Sequence, residues 1–189
     1  MSPIPIAGPA VEPVTLSEMK TYLRLDGPDE DAIVASLIVA ARHTLELATR
    51  RAFIAQTWRV RLDRWPEGRA VPLPFAPVLS IMAIRVMTSG GSPATIPPAS
   101  YRLDTAHEPP RLIVDDSAPE PGGPAAGIEI DASFGFGAAP ADVPAPLRLA
   151  IQRLAARWFE RRGDEDGDAD SLPGDVRALV WPFIRRRIA

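Results

Sequence analysis

Apolar residues recur at helical spacing near both ends of the chain, which predicts helices there. Thr15 and Glu18 have the spacing of a capping box, so the first helix is expected to begin at Thr15 and to cover residues 15–25. Further helices are predicted over residues 29–50 and 145–162. Their apolar stripes are formed by Ile33, Leu37, Ile38, Ala41, Leu45 and Ala48 in the second helix and by Leu147, Ile151, Leu154 and Trp158 in the third.

The region between the second and third helices, residues 54–136, has the alternating pattern of β-strands. Val78 to Met87 is apolar on both faces, which predicts a strand nearer the centre of the sheet than residues 54–63. Other strands are expected at residues 54–63, 101–104, 111–114 and 128–136, and the two short ones are expected to pair around a turn at Gly90-Gly91. The chain is therefore predicted to be an α+β protein, a bundle of about four helices with a small antiparallel sheet inserted between helices 2 and 3.

Proline divides the ends of the chain from its middle. Four of the 22 prolines lie in residues 1–14, which are expected to form an extended N-terminal arm because proline is excluded from helix interiors. Residues 15–162 are expected to form the main domain. Residues 163–171 are dominated by acids and predict a solvated acidic loop. Residues 172–189 predict a short last helix, broken at Pro182, and a C-terminal tail.

The composition excludes several classes of function. A charged fraction of 24%, a hydrophobic fraction of 46% and a net charge of −3 are ordinary for a globular protein. The absence of cysteine removes disulfides and thiol nucleophiles, and the histidines, His43 and His107, have no neighbours that suggest a triad or a metal site. The sequence contains no run of about 18 apolar residues, so it predicts no membrane span. The first residues lack the basic region of a signal peptide, so the chain is expected to start in the cytoplasm.

Motifs that would carry catalysis or bind ligands are weak. The acidic loop has its glycine too early for a calcium-binding EF-hand, and Pro173 stands where that loop needs glutamate. Asp115 and Asp116 follow a predicted strand, where aspartates usually form turns. Gly135 and Gly137 lack the spacing of a nucleotide-binding loop. We therefore expect no catalytic residue, no cofactor and no metal.

The tryptophans and the last arginines are the main candidates for contacts with a partner. Trp58 and Trp158 fall on predicted core faces and are expected to be buried. Trp181, beside Pro182, is expected to contact a partner. The arginines at residues 185–187 fit DNA phosphates, the acidic groups of a partner or a solvated terminus.

The order and spacing of motifs along nearly the whole chain past residue 14 are specific, although each motif alone consists of core and cap residues. They are Thr15-Leu16, Glu18, Lys20, Leu23-Arg24, Asp31, Ile33, Ala41-Arg42, Thr49-Arg50, Gln56-Thr57-Trp58, Leu62-Asp63, Phe134-Gly135-Phe136-Gly137, Val143-Pro144, Leu147, Ala150-Ile151, Trp158, Glu160, Arg162, Leu172-Pro173, Val176, Leu179, Pro182 and Arg185. With them, the chain resembles the head–tail connector (adaptor, or head-completion) family of long-tailed phages and of phage-derived gene transfer agents. The proline-rich start, the acidic loop and the arginine-rich end depart from the family pattern.

The resemblance implies a non-enzymatic protein of a particle neck. Relatives form rings of about twelve copies, which need a heterologous interface that closes by rotation. Such a ring lies beneath the portal, extends the DNA channel and receives the next neck protein, a stopper or tail-proximal protein. DNA is expected to pass without sequence-specific binding, and no membrane is involved. The particle, a virion or a gene transfer agent, is expected to assemble in the bacterial cytoplasm.

The C-terminal tail is the portal-binding site that we expect, and residues 172–189 are expected to be poorly ordered until they dock. Its predicted contact residues are Trp181, Phe183, Ile184, Arg185, Arg186 and Arg187. The other interpretation of the tail is a short helix packed permanently on its own subunit. An alternative function, a nucleic-acid-binding or DNA-packaging accessory protein, stays open because the third helix is rich in arginine. These arginines are Arg148, Arg153, Arg157, Arg161 and Arg162.

Overall fold

The chain folds into two units, each built from segments that are distant in sequence. Unit 1 comprises Met1–Ala10 and Ala55–Phe136, and unit 2 comprises Val11–Ile54 and Gly137–Ala189. The structure is a computed structural model, and it describes residues 3–123, 125, 127–161 and 172–184. The predicted acidic loop lies outside the described residues.

Unit 2 contains the helices. They are α1 (Leu16–Leu23), α2 (Asp31–Thr49), α3 (Ala145–Glu160) and α4 (Gly174–Val180). The predicted capping box is confirmed: the Thr15 backbone N–H donates to Glu18 Oε2 at 2.8 Å, and the Glu18 N–H donates to Thr15 Oγ1 at 3.2 Å. Helix α1 ends earlier than predicted because Arg24 adopts the left-handed conformation, with φ of 58°.

The buried face of α2 differs from the predicted stripe. Val34, Ile38, Ala41 and Leu45 are buried, whereas Ala48 is exposed. The same buried face also holds Arg42, Glu46 and Thr49, and it packs within unit 2, where α2 contacts α3 and α1. Helix α2 is long and apolar enough to cross a membrane by length and composition alone, a test that core helices also pass.

Unit 1 contains two antiparallel sheets. The strands are β1 (Pro3–Ala7), β2 (Gln56–Leu62), β3 (Ala70–Pro72), β4 (Val78–Met87), β5 (Pro93–Thr95), β6 (Tyr101–Asp104), β7 (Arg111–Val114) and β8 (Ile128–Phe134). The five-stranded sheet has the order β1-β2-β8-β4-β5, and the three-stranded sheet has the order β3-β7-β6. The α+β class is confirmed. The two short strands, β6 and β7, pair with each other, but residues 105–110 join them, and the Gly90-Gly91 turn joins β4 to β5 instead. The expectation of a single small sheet is wrong.

The sequence pattern missed three short edge strands, β1, β3 and β5. Each contains proline, which cannot donate a hydrogen bond to a sheet and is tolerated at an edge. Strand β1 lies in the predicted N-terminal arm and pairs with β2. Val78–Met87 lies inside the five-stranded sheet, between β8 and β5, as predicted, but it is not buried on both faces because its register shifts near Leu79 and Met82. These two side chains are exposed.

The tryptophans occupy different environments from those predicted. Trp58 is half-buried and contacts the ring of Phe75, with 4.7 Å between centroids. Trp158 is also half-buried, so its predicted place in the core is wrong: the buried face of α3 is completed by the smaller Ala155 instead. Trp65 is the buried tryptophan, 7% exposed, and its Nε1–H donates to the Pro119 carbonyl at 3.0 Å.

The first part of the C-terminal tail is folded. Helix α4 buries Val176 and Val180, which lie one turn apart and so share a face, and α4 packs against α3. The expectation that the tail is poorly ordered before docking is therefore wrong for residues 172–184. Residues 185–189 lie outside the part of the chain that the structure describes.

Candidate assembly surfaces

The candidate catalytic groups are not brought together. Across residues 3–161 and 172–184, setting aside 124 and 126, no group of three or more His, Asp or Glu side chains could hold a metal ion. His107 Nδ1 lies 2.9 Å from the Pro109 carbonyl oxygen in its own loop. Asp116 is fully exposed, with Oδ1 3.7 Å from Arg69 Nε. Asp115 and Asp116 therefore behave as turn residues at the surface, as their sequence context predicts.

The predicted portal-binding residues follow α4 directly. Trp181–Phe183 form a single 3-10 turn, in which Trp181 is 54% exposed while Phe183 and Ile184 are half-buried. The Arg51 Nε–H donates to the Phe183 carbonyl at 2.8 Å, so the turn is tied to the segment that follows α2. Unit 2 thus holds this turn in place and presents the Trp181 ring to solvent. The predicted contacts Arg185, Arg186 and Arg187 lie outside the described residues.

A buried charge network, which the sequence analysis missed, anchors the segment before α1 and the segment after α2 to α2 itself. Arg42 is 3% exposed and donates to Glu12 Oε2 at 2.7 Å and to Glu46 Oε2 at 2.8 Å. Glu46 Oε1 in turn accepts the Phe53 backbone N–H at 2.7 Å. Burial by itself lowers the pKa of Arg42, but the hydrogen bonds and charges of the two glutamates outweigh it and raise that pKa.

A second arginine fixes the chain just before α1. Arg148 of α3 donates to the Pro13 carbonyl at 3.0 Å and also to Glu18 Oε1. The Thr15 backbone N–H is the largest influence on the pKa of Glu18, and with Thr15 Oγ1–H and Arg148 it lowers that pKa against the opposing effect of burial. Residues 12–18 are therefore held by both α2 and α3.

Paired charges cross the five-stranded sheet. Asp131, on β8, accepts hydrogen bonds from Arg59 of β2 at 2.6 Å and from Arg85 of β4 at 2.7 Å. The bond from Arg59 is the largest influence on the pKa of Asp131, and together with Arg85 it lowers that pKa although burial raises it. Glu129, two residues earlier, pairs with Arg61 at 2.9 Å. These charges link three neighbouring strands and largely neutralise one another.

The arginines of α3 are partly engaged within unit 2. Arg148 bonds Glu18, and Arg153 lies 3.4 Å from Asp175 of α4. Arg157 and Arg161 are exposed, whereas Arg162 lies outside the described residues. A continuous basic face of the kind that reads nucleic acid is therefore interrupted by two acidic partners.

Among the described residues, β4 and α2 each expose more than one large apolar side chain, whereas Ile6, Val11, Tyr22 and Trp181 are exposed singly. In unit 1, β4 exposes Leu79, Met82 and Met87 by 45%, 63% and 38%. In unit 2, α2 exposes Val39 by 37% and Leu47 by 64%. The sequence analysis missed both surfaces. The available signal was the absence of charged residues from the outward positions of α2, which a surface helix normally carries.

Solved structures of gene transfer agent particles contain chains that are similar to this one throughout. One is the neck of an empty particle computed with C6 symmetry, with a TM-score of 0.82, 30% identity, and coverage of 100% of this chain and 98% of that chain. A second is the virion of a native particle, with a TM-score of 0.83, 30% identity and the same coverage. A third is the neck of a native particle computed with C12 symmetry, with a TM-score of 0.82 and 28% identity at the same coverage. No protein-family model and no curated protein matches the sequence.

Proposed function

Because the chain belongs to the head–tail connector family of long-tailed phages and phage-derived gene transfer agents, we propose that it forms the adaptor ring that joins the portal to the next neck protein. It is a structural protein of a particle neck. The observation that carries the proposal is the similarity to a chain in a gene transfer agent neck. The two chains are 30% identical, and the match covers 98% of the neck chain.

The proposed ring contains about twelve copies, in keeping with the C12 symmetry of one matched neck structure. A closed ring of identical chains needs two different surfaces on each copy, which meet head to tail. The ring extends the DNA channel below the portal, and its far side receives the stopper or tail-proximal protein. In this role the chain needs a rigid body and outward contact surfaces rather than a catalytic site.

The C-terminal segment is the proposed contact with the portal. Trp181 offers a large exposed ring on a turn that α4 and Arg51 hold in place, and such rigid aromatic anchors dominate many protein interfaces. Phe183 and Ile184 add apolar area beside it. The following arginines, at residues 185–187, suit carboxylates of the portal because guanidinium groups bind them in bidentate geometry.

DNA is proposed to pass the ring without sequence-specific contacts. Arg148 and Arg153 bond acids of their own unit, which leaves them fewer donors for phosphate, and the net charge of the chain is −3. These pairings weigh against the alternative of a nucleic-acid-binding or packaging accessory protein. We propose no catalytic activity, and we place assembly of the particle in the bacterial cytoplasm.

Particles made without this chain test the adaptor role. We expect negative-stain images to show heads that lack tails or have lost DNA, and the wild-type gene supplied in trans to restore tailed particles. Normal tailed particles in the absence of the chain would overturn the proposal. The rate of DNA uptake during packaging separates the alternative, because loss of a packaging accessory would lower uptake itself, whereas loss of the adaptor lets heads fill and lose DNA afterwards.

A further inference from the structure

The outward face of α2 carries no charged side chain between Ala32 and Ala48. Its members are Ala32, Ser36, Val39, Ala40, His43 and Leu47, all exposed. The charged residues within this stretch, Arg42 and Glu46, lie on the buried face instead. An ordinary surface helix carries its charged residues on the outward face. Depletion of charge together with exposed apolar side chains is typical of the central part of a protein interface.

Strand β4 presents a different apolar surface. It pairs with β5 at Arg85–Met87 alone, so within the described part of the chain no strand covers Val78–Ala83 on the side away from β8. The register of β4 against β8 shifts between Val78 and Ser80 and again between Ile81 and Ala83. The residues at these shifts, Leu79 and Met82, have no partner on β8 and are exposed. An uncovered edge with large apolar side chains is a site that proteins normally protect.

We propose that the outward face of α2 in one copy packs over the uncovered edge of β4 in the next copy around the ring. This inference rests on the proposed function. Covering with a helix is one way in which proteins protect a sheet edge, and the irregular register of β4 disfavours the addition of another strand. Leu79 and Met82 are exposed, and the outward face of α2 combines small residues, Ala32, Ser36 and Ala40, with the larger Val39 and Leu47. The flexible Met82 side chain adapts readily to such a surface.

A second copy is the occupant that fits both surfaces. The matched neck structures have C12 and C6 symmetry, and a closed ring must bury two different patches of each chain against its neighbours. DNA does not fit, because neither surface has the cationic side chains that bind phosphates: Arg42 is buried, and Arg85 pairs with Asp131. The two patches are different surfaces of the chain, as a head-to-tail interface requires.

Chemical cross-linking between engineered cysteines tests this contact, since the chain contains no cysteine of its own. The variant carries Leu47→Cys and Met82→Cys, and assembled particles are treated with a short bismaleimide. We expect a ladder of covalent multiples of the 20.4 kDa chain. Each single variant should give no ladder, and particles built from a mixture of the two single variants should stop at covalent dimers. The control pair, Leu47→Cys with the fully exposed Asp116→Cys, should give none.

Two outcomes overturn the inference while leaving the adaptor role intact. In one outcome, the variant with both cysteines forms a ring in the particle but gives no ladder of cross-linked chains. The other is Met82→Arg assembling as well as wild type, because a buried arginine in this contact should reduce ring formation about tenfold or more. Melting of the purified Met82→Arg chain should match that of wild type, which excludes misfolding as the cause. Absence of any ring in particles would overturn the proposed function itself.

Discussion

Arg42 and Glu46 lie one turn apart on α2 and face the interior of unit 2, with 2.8 Å between Nη1 and Oε2. Glu12 supplies a second carboxylate to Arg42, and the Phe53 N–H donates to the second oxygen of Glu46. The pair therefore ties the segment before α1 and the segment after α2 to a single helix. Buried polar groups of this kind are costly unless every partner is present.

Glu46→Gln should lower the free energy of unfolding by about 3 kcal/mol, because Arg42 keeps its buried charge but loses one of its two carboxylates. Chemical denaturation of the purified chain measures the effect. Glu160→Gln, an exposed change at the end of α3, is the matched control and should change stability by less than about 0.5 kcal/mol. If Glu46→Gln also changed the free energy of unfolding by less than about 0.5 kcal/mol, Glu12 alone would be sufficient to satisfy Arg42.

Asp131→Asn should destabilise the chain at neutral pH by about 1–3 kcal/mol, because Arg59 and Arg85 lose their shared carboxylate. The folded-state pKa of Asp131 lies below its ordinary value of 3.8, so the stabilisation is fully present above that value and is lost as pH falls through the folded pKa. Urea denaturation at pH 7 and about pH 3 should thus show the gap between wild type and variant narrowing in acid. Asp116→Asn, at the exposed surface, should show no such gap at either pH. An Asp131→Asn deficit that stays constant with pH would contradict this account.

Trp65→Ala should be the most destabilising of the tryptophan truncations, at about 3–5 kcal/mol, because it opens a cavity and leaves the Pro119 carbonyl without its donor. Trp158→Ala should cost less, since that ring is half-buried. Trp181→Ala should leave the melting temperature nearly unchanged, because the ring is 54% exposed. Thermal unfolding of the three variants ranks them, and a large drop for Trp181 would assign that ring to the core.

Helix α4 should contribute to the stability of unit 2 even outside the particle. Val176 and Val180 are 1% and 0% exposed, so replacing both with alanine should cost about 3 kcal/mol through lost burial and cavities. The exposed residues of the same helix provide the control: Arg177→Ala should have little effect. Near-equal stability of the double variant and wild type would instead indicate a tail that waits for a partner.

The portal contact predicts a variant that folds but does not assemble. Trp181→Ala combined with alanine at Arg185, Arg186 and Arg187 should keep the wild-type melting temperature while the amount of this chain in purified particles falls about tenfold. The exposed Arg102→Ala, in β6, controls for loss of positive charge elsewhere. Incorporation at the wild-type level would remove the tail from the portal interface.

The confirmed predictions depend on interactions between near neighbours in sequence. The capping box of Thr15 and Glu18 needs residues three positions apart, and the helices follow from apolar periodicity in windows of a few turns. The pairing of β6 with β7 joins two runs that are close in the chain. The family resemblance also needs order and spacing alone. These features could therefore be predicted from the sequence alone.

What only the tertiary structure decided depends on groups that are distant along the chain. Arg42 meets Glu12 across 30 residues, and Arg59 meets Asp131 across 72, so neither partner is visible in a local window. The apolar run of β4 predicts burial, yet its register shifts and the short β5 leave Leu79 and Met82 in solvent. Periodicity identifies which residues share a face of a helix or strand, but the burial of that face depends on what packs against it. For that physical reason the sequence determined the family and the local elements, whereas the tertiary structure decided the buried charges and the surfaces left for assembly.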